Sequence, residues 1–322
     1  MALSRKQQTI VQSEIADDVL TGLCDHPKWL SAKLFYDAEG SRLFGEITRL
    51  PEYYLTRTEA QILAHNADEV VRRVDGEHLN IVELGAGSAT KTTLILDAVL
   101  RMQGAVEYFP IDVSQTALDE AKARLEAEMP RVNVRPLHLD YDSGMHEVQR
   151  IFGRKLVLFI GSSIGNFEPM EASDILAKLR TNLDPGDTVL LGTDMRKSSD
   201  VLIPAYDDAQ GITAAFNKNI LVRINRELGA NFDLDQFAHK IVWNSELSRI
   251  EMHLESLRAQ TVTIADLDRR FRFQKGETIH TENSYKFTDD MIDSIVTNAG
   301  FTREQTWSDE KRWFTVHLLR SN

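Results

Sequence analysis

Cysteine is almost missing: the chain carries one, Cys24. A single thiol closes no intrachain disulfide, so the fold must be held by its core, and a reducing cytoplasmic setting is expected. Long apolar runs are missing as well. The longest, 156–160, suits a buried strand and falls far short of the roughly 20 residues of a membrane-spanning helix. Residues 1–18 are polar and hold no apolar segment of the secretory kind, so no leader is expected. Dense clusters of lysine and arginine are lacking too, and the net charge is −12 with a pI near 5.3. A protein that neutralises phosphates carries a basic face, so nucleic acid is an unsuitable partner. Arg269, Arg270 and Arg272 are close in sequence, but alternation along a strand is expected to separate them. The nine histidines show no compact metal-ligand spacing, and no metal site is expected. No internal repeat or low-complexity tract is present. What remains is a small-molecule substrate, handled by a monomer without nucleic acid or membrane.

The 322 residues are 42% hydrophobic, enough for a sizeable core and, by length, two domains. From residue 79 onward strand and helix signals alternate, the pattern of a parallel sheet covered on both faces. Leu79–Leu84 reads as a strand, followed by a helix with Leu94, Ile95, Ala98 and Val99 on one face. The run 106–111 reads as the next strand; Ser114 caps a helix with Leu118, Ala121, Leu125 and Met129 in register, and Pro130 stops it. Strands follow at 132–137, 156–160 and 188–191, the last after a turn, Asp184-Pro185-Gly186-Asp187. Pro110 and Pro136 are expected near strand ends, because proline gives up a ladder donor. After Arg196 the alternation fails. A helix around 214–228 and strand-like runs at 249–254, 261–264 and 271–273 precede a final helix at 289–298 and strands at 301–307 and 313–319. The expected domains are 58–196 with 287–322, and 1–57 with 197–286.

The strongest motif is Val82-Glu83-Leu84-Gly85-Ala86-Gly87-Ser88, a glycine-rich turn between an apolar strand and a helix. Gly85 and Gly87 let the backbone approach a ligand closely, and the helix start offers free N–H donors. Asp112, at the end of the next strand, stands where a ribose diol is gripped, 25 residues beyond Gly87, against about 20 in the dinucleotide fingerprint. A dinucleotide site also calls for a third glycine where this chain has Thr90. Glu83 before the glycines looks like the first motif of the class I methyltransferases, and the Asp-Pro-Gly turn resembles a second. S-adenosylmethionine has no pyrophosphate, so it does not need the missing glycine. Asp140, after the third strand, matches the position of an adenine-contacting acid in that superfamily; its plainer, less favoured reading is a helix cap or turn aspartate. The fold expected is α/β: a doubly wound Rossmann-like class I methyltransferase sheet with a second, smaller α+β substrate-binding domain.

Further segments resemble a narrower family, the histidine Nα-methyltransferases of ergothioneine biosynthesis. They include Phe35-Tyr36-Asp37, Leu50-Pro51-Glu52-Tyr53-Tyr54 and Thr56-Arg57-Thr58-Glu59. Gly161-Ser162-Ser163-Ile164-Gly165-Asn166, Ala205-Tyr206-Asp207-Asp208 and Thr213-Ala214-Ala215-Phe216-Asn217 follow. Ile250-Glu251-Met252 and Thr281-Glu282-Asn283-Ser284-Tyr285-Lys286-Phe287 complete the set. The likeness runs from about residue 30 to the C-terminus; Leu55, where proline is common, departs from it. The resemblance implies that Tyr53, Asn166 and Tyr206 hold the amino acid's backbone end, with the turn 161–163 (Gly161, Ser163) close by. It implies that Glu282 and Ser284 read the imidazole, with Met252 against the ring. Cofactor contacts carry over to Gly85, Lys91, Asp112, Asp140 and Tyr141, and Tyr36 is a candidate for tuning the amine. A carboxylate beside a hydroxyl rejects a ring that lacks the N–H donor. By residue type alone each has a plainer reading: Tyr53 and Tyr206 as half-buried tyrosines, Met252 as core beside Ile250 and Leu254, Glu282 as a surface acid, Asn166 as a turn residue.

The implied activity is transfer of three methyl groups from S-adenosylmethionine to the α-amino group of L-histidine, giving hercynine. Such a displacement needs an unprotonated amine, positioning and desolvation rather than a metal. Competing readings are a methyltransferase acting on another amino acid or small amine, a non-catalytic adenosylmethionine-binding module, and a nicotinamide dehydrogenase.

Overall fold

The computed structural model describes residues 5–74, 76 and 78–321, with 5–13 described by backbone alone. The expectation for the polar start of the chain therefore falls partly outside the described residues. Contacts divide the chain into two units: Tyr53–Ser198 with Ser284–Asn322, and Met1–Glu52 with Ser199–Asn283.

The first unit is built on an eight-stranded sheet. Leu79–Leu84 pairs in parallel with Val106–Asp112 on one side and Arg154–Phe159 on the other; Thr188–Asp194 continues beyond Arg154–Phe159. The hairpin Phe301–Ser308 and Phe314–Ser321 closes that side in antiparallel fashion. Thr188–Asp194 is buried at every position, as befits a parallel strand covered on both faces. Val82, Val157 and Val189 point into one core with helices Tyr141–Val148, Pro169–Thr181 and Asp289–Asn298. Glu83, one step out of phase, bonds Thr92 at the start of the helix Thr92–Gln103, which packs with Tyr54–Arg73 on the opposite face. The sheet is doubly wound, as the alternation implies. From Leu79–Leu84 the chain winds outward to Val106–Asp112, then returns to Arg154–Phe159 on the other side. The carboxyl ends of those neighbouring strands form the switch point at which such sheets take ligands.

One expectation holds and one changes. Pro110 lies two residues before the end of Val106–Asp112, near the strand end as expected. That strand pairs with Val132–Val134 through Tyr108 and with Leu137–His138 from Ile111 onward. Phe109 and Pro110 fall in the gap, opposite the Pro136 break, so the missing donor interrupts no ladder there. Arg269, Arg270 and Arg272 are all exposed on Arg269–Phe273, and alternation separates only Arg269 from the other two. The turn at Asp184-Pro185-Gly186-Asp187 lies at the amino end of Thr188–Asp194, away from the glycine turn. Its Asp187 is fully buried against the ammonium of Lys155 at 3.0 Å, so the motif is a structural corner.

The second unit is α+β. Its sheet runs Lys28–Trp29, Thr278–Tyr285, Arg249–Ser256, Phe237–Asn244, with residues 278–283 of the second strand belonging to this unit. The helix Ile212–Leu228 packs on it, and Gln260–Ile264 pairs with Arg269–Phe273 as a separate ribbon. Phe237–Asn244 and Thr278–Tyr285 have no counterpart in the strand-like runs read from the sequence. The first is only half-buried over most of its length, and the second is rich in short polar residues, so neither shows an apolar period.

His317 in Phe314–Ser321 is fully buried, its Nε2 within 3.0 Å of Thr193 and 2.8 Å of Thr315, its Nδ1 within 2.9 Å of Thr306. Burial holds its pKa down to about 3. The unfolded chain takes up a proton near pH 6.5 that the folded chain refuses, so this contribution is full above that pH and lost as pH falls toward 3. Relative to the parent, His317→Gln should flatten the fall in unfolding midpoint between pH 6.5 and 4.5, by up to about 1.4 kcal/mol per pH unit. Parallel urea-midpoint profiles for the two proteins would show that His317 does not carry the linkage.

Candidate active site

The turn after Leu79–Leu84 depends on two glycines in the left-handed region, Gly85 at φ +70° and Gly87 at φ +50°. The Gly85 and Ala86 N–H groups both donate to the Ile111 carbonyl, at 2.9 and 3.1 Å, tying the turn to the end of the next strand. The Gly87 N–H donates to Asp112 Oδ2 and the Ser114 N–H to Oδ1, each at 2.8 Å. Burial raises the Asp112 pKa, opposed by these two backbone donors. Below the turn, buried Glu83 accepts from Thr92 at 2.7 Å and from the Tyr108 hydroxyl, and burial pushes its carboxyl up to about 7. Glu83 thus braces a strand, its neighbour and a helix from behind the turn.

The second strand end carries a matching turn. Gly161 (φ +81°) and Ser162 (φ +60°) are both left-handed and lead into the short helix Ser163–Asn166. Ser162 Oγ accepts from the Asp194 N–H at 2.9 Å. Gly165 presses on Tyr285, whose carbonyl lies 3.0 Å from where a Cβ would sit. This fixes where Asn166 emerges. The Gly161 N–H donates to both oxygens of Glu59 at 2.9 Å, and the same carboxylate pairs with Lys91.

Tyr141 joins the two turns: its hydroxyl lies 2.7 Å from a notional Gly85 Cβ and bonds the Ser163 side chain. Its ring packs edge-on against Phe159 and Phe167, and burial raises its pKa well above the phenol range. Asp140 caps the helix Tyr141–Val148, with Oδ1 accepting from the Ser143 N–H at 2.8 Å. Gly85, Gly87, Lys91, Asp112, Asp140, Tyr141, Gly161, Ser163 and Asn166 therefore gather at one end of the sheet.

These residues fit a nucleoside with an amino-acid tail. An added Cβ at Gly87 meets nothing within 4 Å, so the turn opens onto free space beside Asp112. The carboxylate oxygens of Asp112 retain acceptor capacity for a diol, and Lys91 offers a cation for a carboxylate. Among the described residues no group of acidic, histidine or cysteine side chains could hold a metal ion.

One feature escaped sequence reasoning. Asp194 and Lys286 are fully buried and paired at 2.9 Å; Lys197 and the Tyr54 hydroxyl complete the cluster, with Tyr54 2.7 Å from Asp194 Oδ2. Burial lowers the Lys197 pKa to about 8. Lys286 also donates to Ser284 Oγ at 2.7 Å, which fixes that candidate residue from below. Tyr53, buried, stands just before the helix Tyr54–Arg73, and its carbonyl accepts from Arg57 at 3.3 Å.

In the second unit Tyr206 ends the helix Ser199–Tyr206, and its carbonyl lies 2.9 Å from His239 Nε2. His239 Nδ1 faces the Asn217 amide nitrogen at 2.8 Å, and Thr281 bonds both Asn217 and the Met252 carbonyl. A chain of bonds thus links Tyr206 to Met252, and burial lowers the His239 pKa. Met252 is buried within the strict alternation of Arg249–Ser256. Tyr36 packs edge-on against Phe44 and Phe216, and Glu282 sits half-buried on Thr278–Tyr285.

A family model described as "Histidine-specific methyltransferase, SAM-dependent" matches residues 15–321. The chain belongs to this family. Among relatives of these histidine-specific methyltransferases, a Mycolicibacterium smegmatis protein named Histidine N-alpha-methyltransferase is 44% identical over 94% of this chain and 93% of its own. The Mycobacterium tuberculosis protein of the same name is 42% identical over the same shares. Ergothioneine biosynthesis protein 1 of Schizosaccharomyces pombe is 30% identical over 84% of this chain, which spans 36% of that longer protein. The family uses adenosylmethionine and is enzymatic, so the dehydrogenase and the non-catalytic readings fall.

Replacing Asp112 with Ala removes the acceptor of two backbone donors and tests the ribose contact expected of this carboxylate. S-adenosylhomocysteine affinity should drop by about tenfold or more. Calorimetry giving an unchanged affinity would mean that the ribose is held elsewhere.

Proposed function

We infer that this histidine-specific methyltransferase converts L-histidine to hercynine by three successive methylations of the α-amino nitrogen, a step of ergothioneine biosynthesis. The observation that carries the reading is near-full-length similarity to proteins named Histidine N-alpha-methyltransferase, with Met252, Glu282 and Ser284 all in place. The sheet-bearing unit is assigned to the cofactor and the α+β unit to substrate recognition.

Bound adenosylmethionine supplies an electrophilic methyl carbon on a sulfonium. Asp112 holds the ribose, Asp140 and Tyr141 the adenine side, Gly85 and Gly87 leave room for the chain of the cofactor, and Lys91 faces its carboxylate. Tyr53, Asn166 and Tyr206 hold the histidine backbone, with Gly161 and Ser163 shaping the turn nearby. Neutral hydroxyl and amide donors bind the substrate carboxylate without adding a cation next to the sulfonium. Glu282 accepts an imidazole N–H, Ser284 bonds the ring, and Met252 packs on it. Discrimination follows because an amino acid without that N–H forfeits the bond that Glu282 accepts from the ring.

The amine must arrive unprotonated. Chain-terminal α-amino groups titrate at about 7.7–8.0, and a free amino acid's amine is more basic, so deprotonation precedes transfer. Tyr36 is assigned to tuning that amine. Alignment of the nitrogen with the methyl carbon, away from water, supplies most of the acceleration. No described helix is long and apolar enough to cross a membrane, and Cys24 is free and exposed. The reading extends to a monomer in a reducing cytoplasm.

Titrated in the presence of S-adenosylhomocysteine, Glu282→Ala should bind histidine at least about tenfold more weakly, with S-adenosylhomocysteine itself unchanged within about twofold. Equal losses for both ligands would remove Glu282 from reading the ring.

A further inference from the structure

We propose that Glu59 is a positioning residue for the cofactor: it holds the Lys91 ammonium at the Gly161 turn, aimed at the methionyl carboxylate. This rests on the assignment of Lys91 to the cofactor.

Glu59 lies in Thr56-Arg57-Thr58-Glu59, a motif to which the functional reading gives no task. It is fully buried on the helix Tyr54–Arg73. Both of its oxygens accept the Gly161 N–H, and Oε2 pairs with Lys91. The sheet makes room for it: a Cβ on Gly192 would sit 2.1 Å from Glu59 Oε1. Burying a carboxylate is costly unless an opposite charge and hydrogen bonds compensate it, and here Lys91 and Gly161 do so. A carboxylate kept at that cost, touching the residue that follows the first glycine turn and the glycine that opens the second, suits a part that sets geometry.

The consequence falls on Lys91. Its side chain is 18% exposed, against 0% for Glu59, so the pair presents the cation outward and the anion inward. An ammonium carries three donors, of which the bond to Glu59 uses one. Lys91 immediately precedes the helix Thr92–Gln103, where free N–H groups also favour an anion. A lysine on a four-carbon stem loses much rotamer freedom when it grips a ligand, and a tether removes part of that cost beforehand. The ammonium lies 3.4 Å from where a Gly161 Cβ would be, an ordinary contact distance, so it rests directly against the second turn.

In Glu59→Gln the amide oxygen can still accept from Gly161, but no negative charge restrains Lys91. The test compares S-adenosylhomocysteine with 5′-methylthioadenosine, which keeps the adenosine and lacks the amino-acid carboxylate. By calorimetry Glu59→Gln should bind S-adenosylhomocysteine about tenfold more weakly and methylthioadenosine within about twofold of the parent. Lys91→Met should show the same selectivity, and the double variant should lose no more than Lys91→Met alone. Glu59→Asp, one methylene shorter, should give a smaller loss with the same selectivity, and serves if the Gln variant does not fold. An unchanged affinity for S-adenosylhomocysteine, or equal losses for both ligands, would overturn the proposal. If Lys91→Met is selective and the Glu59 variants are not, the positioning role fails while the assignment of Lys91 stands. If Lys91→Met is itself without effect, the assignment of Lys91 fails.

Discussion

The divergence of the chain on either side of Leu79–Leu84 is the constraint from which the rest follows. Its successor strand, Val106–Asp112, lies to one side, and the strand that returns, Arg154–Phe159, to the other. No crossover helix can cover both carboxyl ends at once. The polypeptide leaves Leu79–Leu84 and Arg154–Phe159 through tight turns, which Gly85 and Gly87 supply at the first and Gly161 and Ser162 at the second, all with positive φ. The open space is bounded by the acceptor Asp112 and the capped helix that begins at Tyr141. Tyr141 spans from Gly85 to Ser163, so a shift of either turn is felt at the other.

Charge is managed by the same geometry. The protein is acidic overall, with a net charge of −12, yet cations lie buried or half-buried at this end of the sheet. Lys91 rests on Glu59, while Lys286 and Lys197 rest on Asp194. Each of these cations is matched by a carboxylate, which is what makes its partial or full burial tolerable. Lys286 reaches Ser284 with a directed donor, so the position of that hydroxyl is set by the fold beneath it. In the second unit the bonds from Thr281 through Asn217 and His239 do the same for the Tyr206 backbone.

What the sequence made legible was local. The glycine turn, Asp112 at the following strand end and the caps at Ser114 and Asp140 all depend on neighbours a few residues away or on one strand–helix repeat. Alternation of apolar runs was enough for the doubly wound sheet. Pairings across long separations left no period to read. Glu59 and Gly161 are 102 residues apart, and Tyr54 and Asp194 are 140 apart. Pro110 is tolerated near the end of its strand because the partner is broken opposite it, so the donor that proline lacks interrupts no ladder. The polar strand Thr278–Tyr285, which carries Glu282 and Ser284, was visible only through its resemblance to a family, since its side chains are chosen for polarity rather than for core packing.

The central claim is that this end of the sheet delivers methyl groups to the α-nitrogen of histidine and to no other atom of it. Mass spectrometry of histidine incubated with the protein and methyl-labelled adenosylmethionine tests it most directly. Three successive labelled methyl additions, all retained on the α-nitrogen in fragment spectra, are the result expected. Label on an imidazole nitrogen, or histidine recovered without label while another amine is consumed, would contradict it.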